Sequence, residues 1–190
     1  MLTLCFFLQN MLDPSEYKVS WIRYSEDIRW HEHHFADKCK NKLENHNEII
    51  DAISKSDLIV YQNVNGNAYA NSENLQKLKK NQSKILKLPS IVLDYKNYND
   101  SIMELKRREN LHQVDIKVSN IFEQNINKNL MITFCHPKTF VFMELLKEIS
   151  ERMNFTFYPN STVECFLKDD NYMQLPDYTP PLGGKWVNCL

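Results

Sequence analysis

Glycine is scarce in this chain: only Gly66, Gly183 and Gly184 occur among 190 residues. Phosphate-binding loops of the GxGxxG and GxxxxGK[ST] types need several glycines, because the backbone must approach the phosphate closely. The sequence contains neither loop. Its composition therefore argues against a Rossmann dinucleotide enzyme, a P-loop NTPase and a protein kinase.

Paired cysteines and long apolar runs are missing as well. The five cysteines include no CxxC pair, and their odd number indicates neither a zinc ribbon nor a complete disulfide framework. No window approaches the roughly 18 apolar residues of a membrane span. The apolar start of the chain has no basic leader and no small-residue cleavage site. We therefore expect a protein of the reducing cytoplasm with no membrane span.

The chain also has no excess of charge of either sign. Lys plus Arg number 23 and Asp plus Glu number 24, so the net charge is -1. Without a positive field over the whole molecule, the chain is not expected to bind nucleic acid. The run of lysines at 77–87 is typical of a solvated helix face, with contact to phosphates as the alternative. The oligomeric state is left open.

Short apolar runs alternate with helical stripes along the first 158 residues. Runs at 57–62, 90–95 and 130–136, with a fourth at 2–8, are typical of strands that are covered on both faces. Apolar residues at helical spacing predict helices between them, clearest at 139–153. The sequence thus predicts an α/β fold: a single domain over 1–158 with a mainly parallel sheet flanked by helices on both faces. Residues 159–190 are predicted to be an irregular arm containing Pro and Gly.

Polar residues lie at the carboxyl ends of the three predicted strands. They are Gln62-Asn63, Asp94-Tyr95 and Cys135-His136. Because ligands bind beyond the carboxyl ends of the strands in an open parallel sheet, these side chains are candidates for one shared site. The alternative is that polar residues simply mark the ends of buried strands.

His136 is the strongest candidate for chemistry. Pro137 restricts it to extended geometry, and Lys138-Thr139 then open the clearest helix, with Thr139 as the predicted N-cap. The N-terminus of a helix offers N–H groups and a positive dipole end. The position therefore suits a general base or an anionic group. A structural histidine bonded to a backbone carbonyl is the alternative.

Two further groups of residues have the side-chain types of a nucleophile and of a metal site. Cys135 precedes His136 in a strand and faces the opposite side, so Cys5 is the better thiol partner for His136. The alternative role for Cys5 is that of a small buried hydrophobe. The cluster at 31–34 (His-Glu-His-His) does not match HExxH, because Phe35 occupies the last position, and we expect no metal site there.

These elements together resemble the WcbI-type polysaccharide-biosynthesis family. The resemblance runs from about residue 54 to 153. It comprises Asp57 to Gln62, Leu88-Pro89 to Tyr95, Asp115 to Ser119, and the strand into His136-Pro137 with its long helix. The opening Gly-Asn-Cys-Gln element of the family is matched only at Cys5, which is followed by Phe6.

The resemblance implies an O-acetyltransferase that uses acetyl-CoA and acts on a sugar hydroxyl of a polysaccharide or glycan. His136 would then be the base, Gln62 or Asn63 would hydrogen-bond the oxyanion, and Cys5 would either carry the acetyl group or line the pocket. The contacts to CoA would come from residues Asn63, Asp94, Tyr95, Lys138 and Thr139. Two alternatives stay open: an SGNH-like esterase or hydrolase, and a non-catalytic binding protein that keeps the fold.

Overall fold

The computed structural model describes residues 2–22, 40–43, 45–62, 72–93, 97–133 and 136–158. The predicted arm at 159–190 and the cluster at 31–34 lie outside these ranges. The described part is a mixed α/β structure with six helices and six short strands. The helices are α1 Leu2–Met11, α2 His46–Lys55, α3 Ser72–Leu78, α4 Tyr98–His112, α5 Val118–Gln124 and α6 Thr139–Met153. The strands are β1 Trp21–Ile22, β2 Lys42–Leu43, β3 Leu58–Gln62, β4 Lys84–Leu88, β5 Met131–Thr133 and β6 His136–Pro137.

The six strands form three two-stranded sheets. The pairs β1–β2 and β3–β4 are parallel, whereas β5–β6 is antiparallel. The longest ladder joins β3 to β4, from Leu58 opposite Lys84 to Gln62 opposite Leu88. Over the described residues no larger sheet is formed. The mainly parallel sheet flanked by helices on both faces therefore stays a prediction.

The β3–β4 pair lies between two hydrophobic clusters. In β3, Leu58 and Val60 pack on the larger cluster, which α1, α4, α5 and α6 supply, and the alternate residues Ile59 and Tyr61 belong to the smaller one. The smaller cluster also contains Ile49 and Ile53 of α2 and Leu75 of α3. Successive side chains of a strand point to opposite faces, so this alternation follows directly from the strand geometry. It explains why the run at 57–62 has no polar face.

Helix α1 corrects the prediction of a strand at 2–8. Leu4, Phe7, Leu8 and Met11 recur at helical spacing and are buried. The Phe7 ring lies 6.0 Å from that of Phe142 on α6. A short, wholly apolar run suits a buried helix as well as a buried strand, and here packing against α6 decides for the helix.

Strand β4 corrects two more predictions. The lysine run at 77–87, expected on a helix face, leaves its helix at Leu78 and continues into β4 at Lys84. The strand expected at 90–95 is absent over the described residues 90–93. Pro89 follows β4 directly and has no N–H for a sheet ladder. The apolar residues beyond it therefore extend without pairing as a strand.

A buried carboxylate joins α4 to α5. Glu109 is 1% exposed, and its Oε1 accepts a hydrogen bond of 2.9 Å from the Ser119 backbone N–H. Its Oε2 accepts from the Ser119 hydroxyl. Burial raises the pKa of Glu109, while the hydrogen bonds from Ser119 and Val118 and the charge of Lys117 act in the opposite direction. Glu109 thus caps the first turn of α5, whose own N-cap, Lys117, makes no side-chain capping bond.

The helix predicted at 139–153 is confirmed with the same bounds. The strand predicted at 57–62 is also confirmed, as β3. Among the described helices none has the length and apolar character that a membrane crossing requires.

Candidate functional site

His136 lies in β6, at the point where a short hairpin leads into α6. β6 pairs with β5, and the Lys138 N–H donates a 2.8 Å hydrogen bond to the Leu130 carbonyl. Pro137 is buried, whereas His136 is half-buried. The backbone of His136 and of the two residues after it is therefore fixed by pairing and burial. A histidine held in this way can present one ring nitrogen in a defined direction, as a general base must.

The N-terminus of α6 directly follows His136. Its N-cap is Lys138, in extended conformation, and not Thr139 as predicted; Thr139 is the first helical residue and is 1% exposed. The first turn contains no acidic residue. The Lys128 ammonium lies 4.0 Å from the centroid of the Phe140 ring in that turn. The turn after His136 thus carries one lysine at the helix N-cap, a second lysine against its Phe140 ring and the positive end of the helix dipole.

Lys128 was missed by the sequence reasoning. It belongs to the loop between α5 and β5, ten residues before Lys138. The loop approaches α6 through the hydrogen bond between Lys138 and Leu130. No local sequence pattern reports such a contact, because it depends on the pairing of β5 with β6.

Gln62 ends β3, as predicted, but its amide has a structural partner. The Gln62 Nε2 donates a hydrogen bond of 2.8 Å to the carbonyl of Pro89. One of the two N–H groups expected to stabilise an oxyanion is therefore used to hold the chain that leaves β4. This bond ties the carboxyl ends of β3 and β4 together.

The three predicted strand ends do not all belong to one sheet in the described structure. Gln62 is in the β3–β4 sheet and His136 is in the β5–β6 sheet. Asn63, Asp94 and Tyr95 lie outside the described residues. Over its described part, residues 90–93, the run predicted as a strand at 90–95 forms no strand. A shared site formed by these residues and His136 remains a prediction.

Cys5 is located on α1 and not at the end of a strand. Its side chain is 9% exposed and belongs to the larger hydrophobic cluster. A thiol that attacks an acyl donor must be reached by that donor and needs a group that lowers its pKa. The burial of Cys5 therefore favours its interpretation as a small buried hydrophobe.

Residues 89–93 carry a second contact that the sequence did not predict. Nη2 of Arg108, on α4, donates a hydrogen bond to the Val92 carbonyl. Gln62 holds the beginning of this segment and Arg108 holds its later part. The chain beyond β4 is thus fixed by side chains from β3 and from α4.

Comparison with known proteins finds no matching family model, no similar curated protein and no similar solved structure.

Proposed function

We propose that the chain is a cytoplasmic, CoA-dependent acyltransferase that moves an acetyl group from acetyl-CoA to a sugar hydroxyl during polysaccharide or glycan biosynthesis. The observation that carries the proposal is the position of His136, half-buried in the strand pair β5–β6 directly before the N-terminus of the 15-residue helix α6. The resemblance of residues 54–153 to the WcbI-type family supports it. The mainly parallel sheet flanked by helices on both faces, expected from the apolar runs of the sequence, belongs to the same proposal.

His136 would act as the general base. It takes the proton of the sugar hydroxyl while the hydroxyl oxygen attacks the thioester carbonyl. The bond from that carbonyl carbon to sulfur then breaks, and the CoA thiolate leaves and is protonated. General-base catalysis of this kind contributes about 10²- to 10⁴-fold to the rate.

The basic turn after His136 would hold the negatively charged part of CoA. Lys138 and the N–H groups at the start of α6, with Thr139, are the contacts expected from the sequence, and Lys128 beside Phe140 adds a second ammonium group. Asn63, Asp94 and Tyr95 keep their expected contacts with CoA in this proposal. Gln62 contributes at most one N–H group to an oxyanion, since the other is donated to Pro89.

His136→Ala tests this function. It is expected to lower acetyl transfer by about 10²-fold or more, with a melting temperature within a degree or two of the wild type. His46→Ala, which changes an exposed histidine on α2, is the matched control and should leave the rate unchanged. Release of free CoA thiol from acetyl-CoA, measured over a panel of sugars, gives the rate. Equal rates for His136→Ala and the wild type would exclude His136 as the base.

Binding of CoA is tested separately by thermal denaturation. A ligand at 100 times its Kd stabilises the folded state by about 2.7 kcal/mol, so millimolar CoA should raise the melting temperature by several degrees. No shift with folded wild-type protein would contradict the proposal.

A non-catalytic binding protein is the second candidate. Cys5 is buried in the core and the Gln62 amide is bonded to Pro89, so two of the three expected catalytic side chains have structural roles. This candidate predicts a thermal shift with CoA but no thiol release from acetyl-CoA with any sugar. Thiol release that depends on His136 would exclude it.

A further inference from the structure

Residues 89–93 continue the chain beyond the carboxyl end of β4. Ser90 is exposed, Ile91 and Val92 are half-buried, and Leu93 is fully buried. The segment forms no strand, although its composition is that of one. Its conformation must therefore be held by contacts other than a sheet ladder.

Besides the packing of Ile91 and Leu93 on the larger cluster, two side chains hold the segment from different elements. The Gln62 amide, at the end of β3, donates to the Pro89 carbonyl, and the Arg108 guanidinium, on α4, donates to the Val92 carbonyl. Both bonds link residues far apart in the sequence, and both acceptors are backbone oxygens. Together they fix the segment at two points, three residues apart.

Arg108 depends on this contact for its own placement. Its side chain is 21% exposed, and Glu104 Oε1 lies 3.6 Å from its Nε. Glu104 is more closely engaged by Arg107, with hydrogen bonds of 2.6 and 2.8 Å. Within the described residues the Arg108 Nε has no hydrogen-bond partner. Because a half-buried guanidinium is costly unless it is hydrogen-bonded, the bond to Val92 is central to the position of Arg108.

We propose that Arg108 is a positioning residue that holds residues 89–93 as one wall of the acyl-donor site. Ligands of parallel sheets bind outside the carboxyl ends of the strands, and the segment lies directly beyond the end of the parallel β3–β4 pair. This inference rests on the proposed function for the identity of the ligand, CoA. Arg108 acts through the backbone of the segment.

The test compares two neighbouring arginines. Arg108→Gln and Arg107→Gln each remove one positive charge beside Glu104, but only the first removes the bond to Val92. Hydrogen exchange of the amides of Ser90 to Leu93 reports the wall, and calorimetric titration with CoA reports the ligand. Arg108→Gln is expected to speed exchange and weaken CoA binding by about tenfold or more each, as for one lost charged hydrogen bond. In turnover it should raise KM for acetyl-CoA with little change in kcat, and Arg107→Gln should change none of these values.

Arg108→Lys keeps a charged donor and should recover part of both effects. If Arg108→Gln does not fold, Gln62→Met releases the other end of the segment and should speed the same amides. Unchanged exchange in the folded variants would overturn the clamp. Faster exchange with unchanged CoA affinity would overturn the positioning role.

Failure of the wild type to bind CoA would overturn the proposed function and the donor-site wall together. The exchange measurement would still decide whether Arg108 holds the segment. The two failures are therefore distinguishable.

Discussion

The two hydrophobic clusters on either side of β3–β4 differ in how they are built. The larger one collects fully buried residues from four helices, among them Phe7, Phe122, Leu146 and Ile149. The smaller one is formed by α2, α3 and the face of β3 that carries Ile59 and Tyr61. Its buried residues are Ile49, Ile53, Tyr61 and Leu75. Since burial of apolar area is the main stabilising contribution, the larger cluster should dominate the stability of the fold.

The candidate site residues His136 and Gln62 differ in which hydrophobic cluster supports them. His136 and the start of α6 belong to the side of the larger cluster, because Val141, Phe142 and Leu145 anchor α6 in it. Gln62 ends the strand that lies between the two clusters. The helix that follows the proposed base is therefore anchored in the larger cluster, as the fixed geometry of catalysis requires.

Truncation of one large side chain in each cluster should give the largest effects. Phe7→Ala is expected to lower the free energy of unfolding by about 3–5 kcal/mol, because the ring is fully buried and contacts Phe142. Leu75→Ala should cost about 2 kcal/mol, at the low end for a buried leucine, since the smaller cluster relaxes more easily around a cavity. Urea denaturation measures both, and a larger loss for Leu75→Ala would reverse the ranking of the two clusters.

Substitution of Glu109, on α4 beside the larger cluster, should change the free energy of unfolding by an intermediate amount. Glu109→Leu leaves the Ser119 and Val118 donors without their carboxylate and should cost about 2–3 kcal/mol. Glu109→Gln keeps an acceptor oxygen and should stay within about 1 kcal/mol of the wild type at neutral pH. A loss for Glu109→Gln as large as that for Glu109→Leu would show that the charge, and not the acceptor oxygen, caps α5.

The contribution of Glu109 to stability should also depend on pH. Because burial raises the pKa of Glu109 in the folded state, the folded state binds its proton more tightly than the unfolded state does. Its contribution to stability is therefore largest below the ordinary glutamate pKa, and it is lost as pH rises through the raised value. The advantage of wild type over Glu109→Gln should grow as pH falls from neutral towards 4.5, the ordinary value.

Glu104, on the same helix, is the control, because its pKa is shifted in the opposite direction to that of Glu109. Arg107 lowers the pKa of Glu104, so its contribution is present at neutral pH and is lost as pH falls. The advantage of wild type over Glu104→Gln should therefore shrink on acidification. Parallel pH profiles for the two variants would contradict both assignments.

How far the sequence predicts this fold depends on the length and type of each pattern. Helix α6 was predictable because its apolar residues recur over four turns, and β3 because a short run of β-branched and aromatic residues precedes Gln62. The run at 2–8 is too short and has too few polar residues to show whether its apolar residues follow a helical or a strand period. Only its packing on α6 reveals a helix. At 84–88 the residues Ile85, Leu86 and Leu88 do not alternate strictly with the two lysines. The pattern therefore predicts an exposed helix, whereas the segment is the strand β4.

The candidate site was less predictable than the fold. His136 was found because Pro137 and the helix start are local signals. Lys128 and Arg108 were missed because their contacts, with Phe140 and Val92, depend on tertiary packing between distant segments. The role of Gln62 changed for the same reason, since its acceptor, Pro89, is brought to it only by the β3–β4 register.

The smallest expected effects test whether the two clusters unfold as one unit. Asn97 caps α4 on the side of the larger cluster by accepting from the Asp100 N–H at 2.8 Å, and Asn45 caps α2 on the other side by accepting from the Glu48 N–H at 2.9 Å. Replacement of either cap by alanine should cost about 1 kcal/mol. Because β3–β4 contributes side chains to both clusters, each loss should appear in the global free energy of unfolding.

Hydrogen exchange separates this outcome from its alternative. If the clusters are coupled, Asn45→Ala should speed exchange in the buried amides of α2 and α6 by a similar factor, about fivefold for a loss of 1 kcal/mol. Asn45→Asp keeps the capping acceptor and should change neither helix appreciably. Faster exchange confined to α2 would show that the smaller cluster opens alone. The chain around Gln62 would then border a separately unfolding unit, whereas His136 would remain on the stable one.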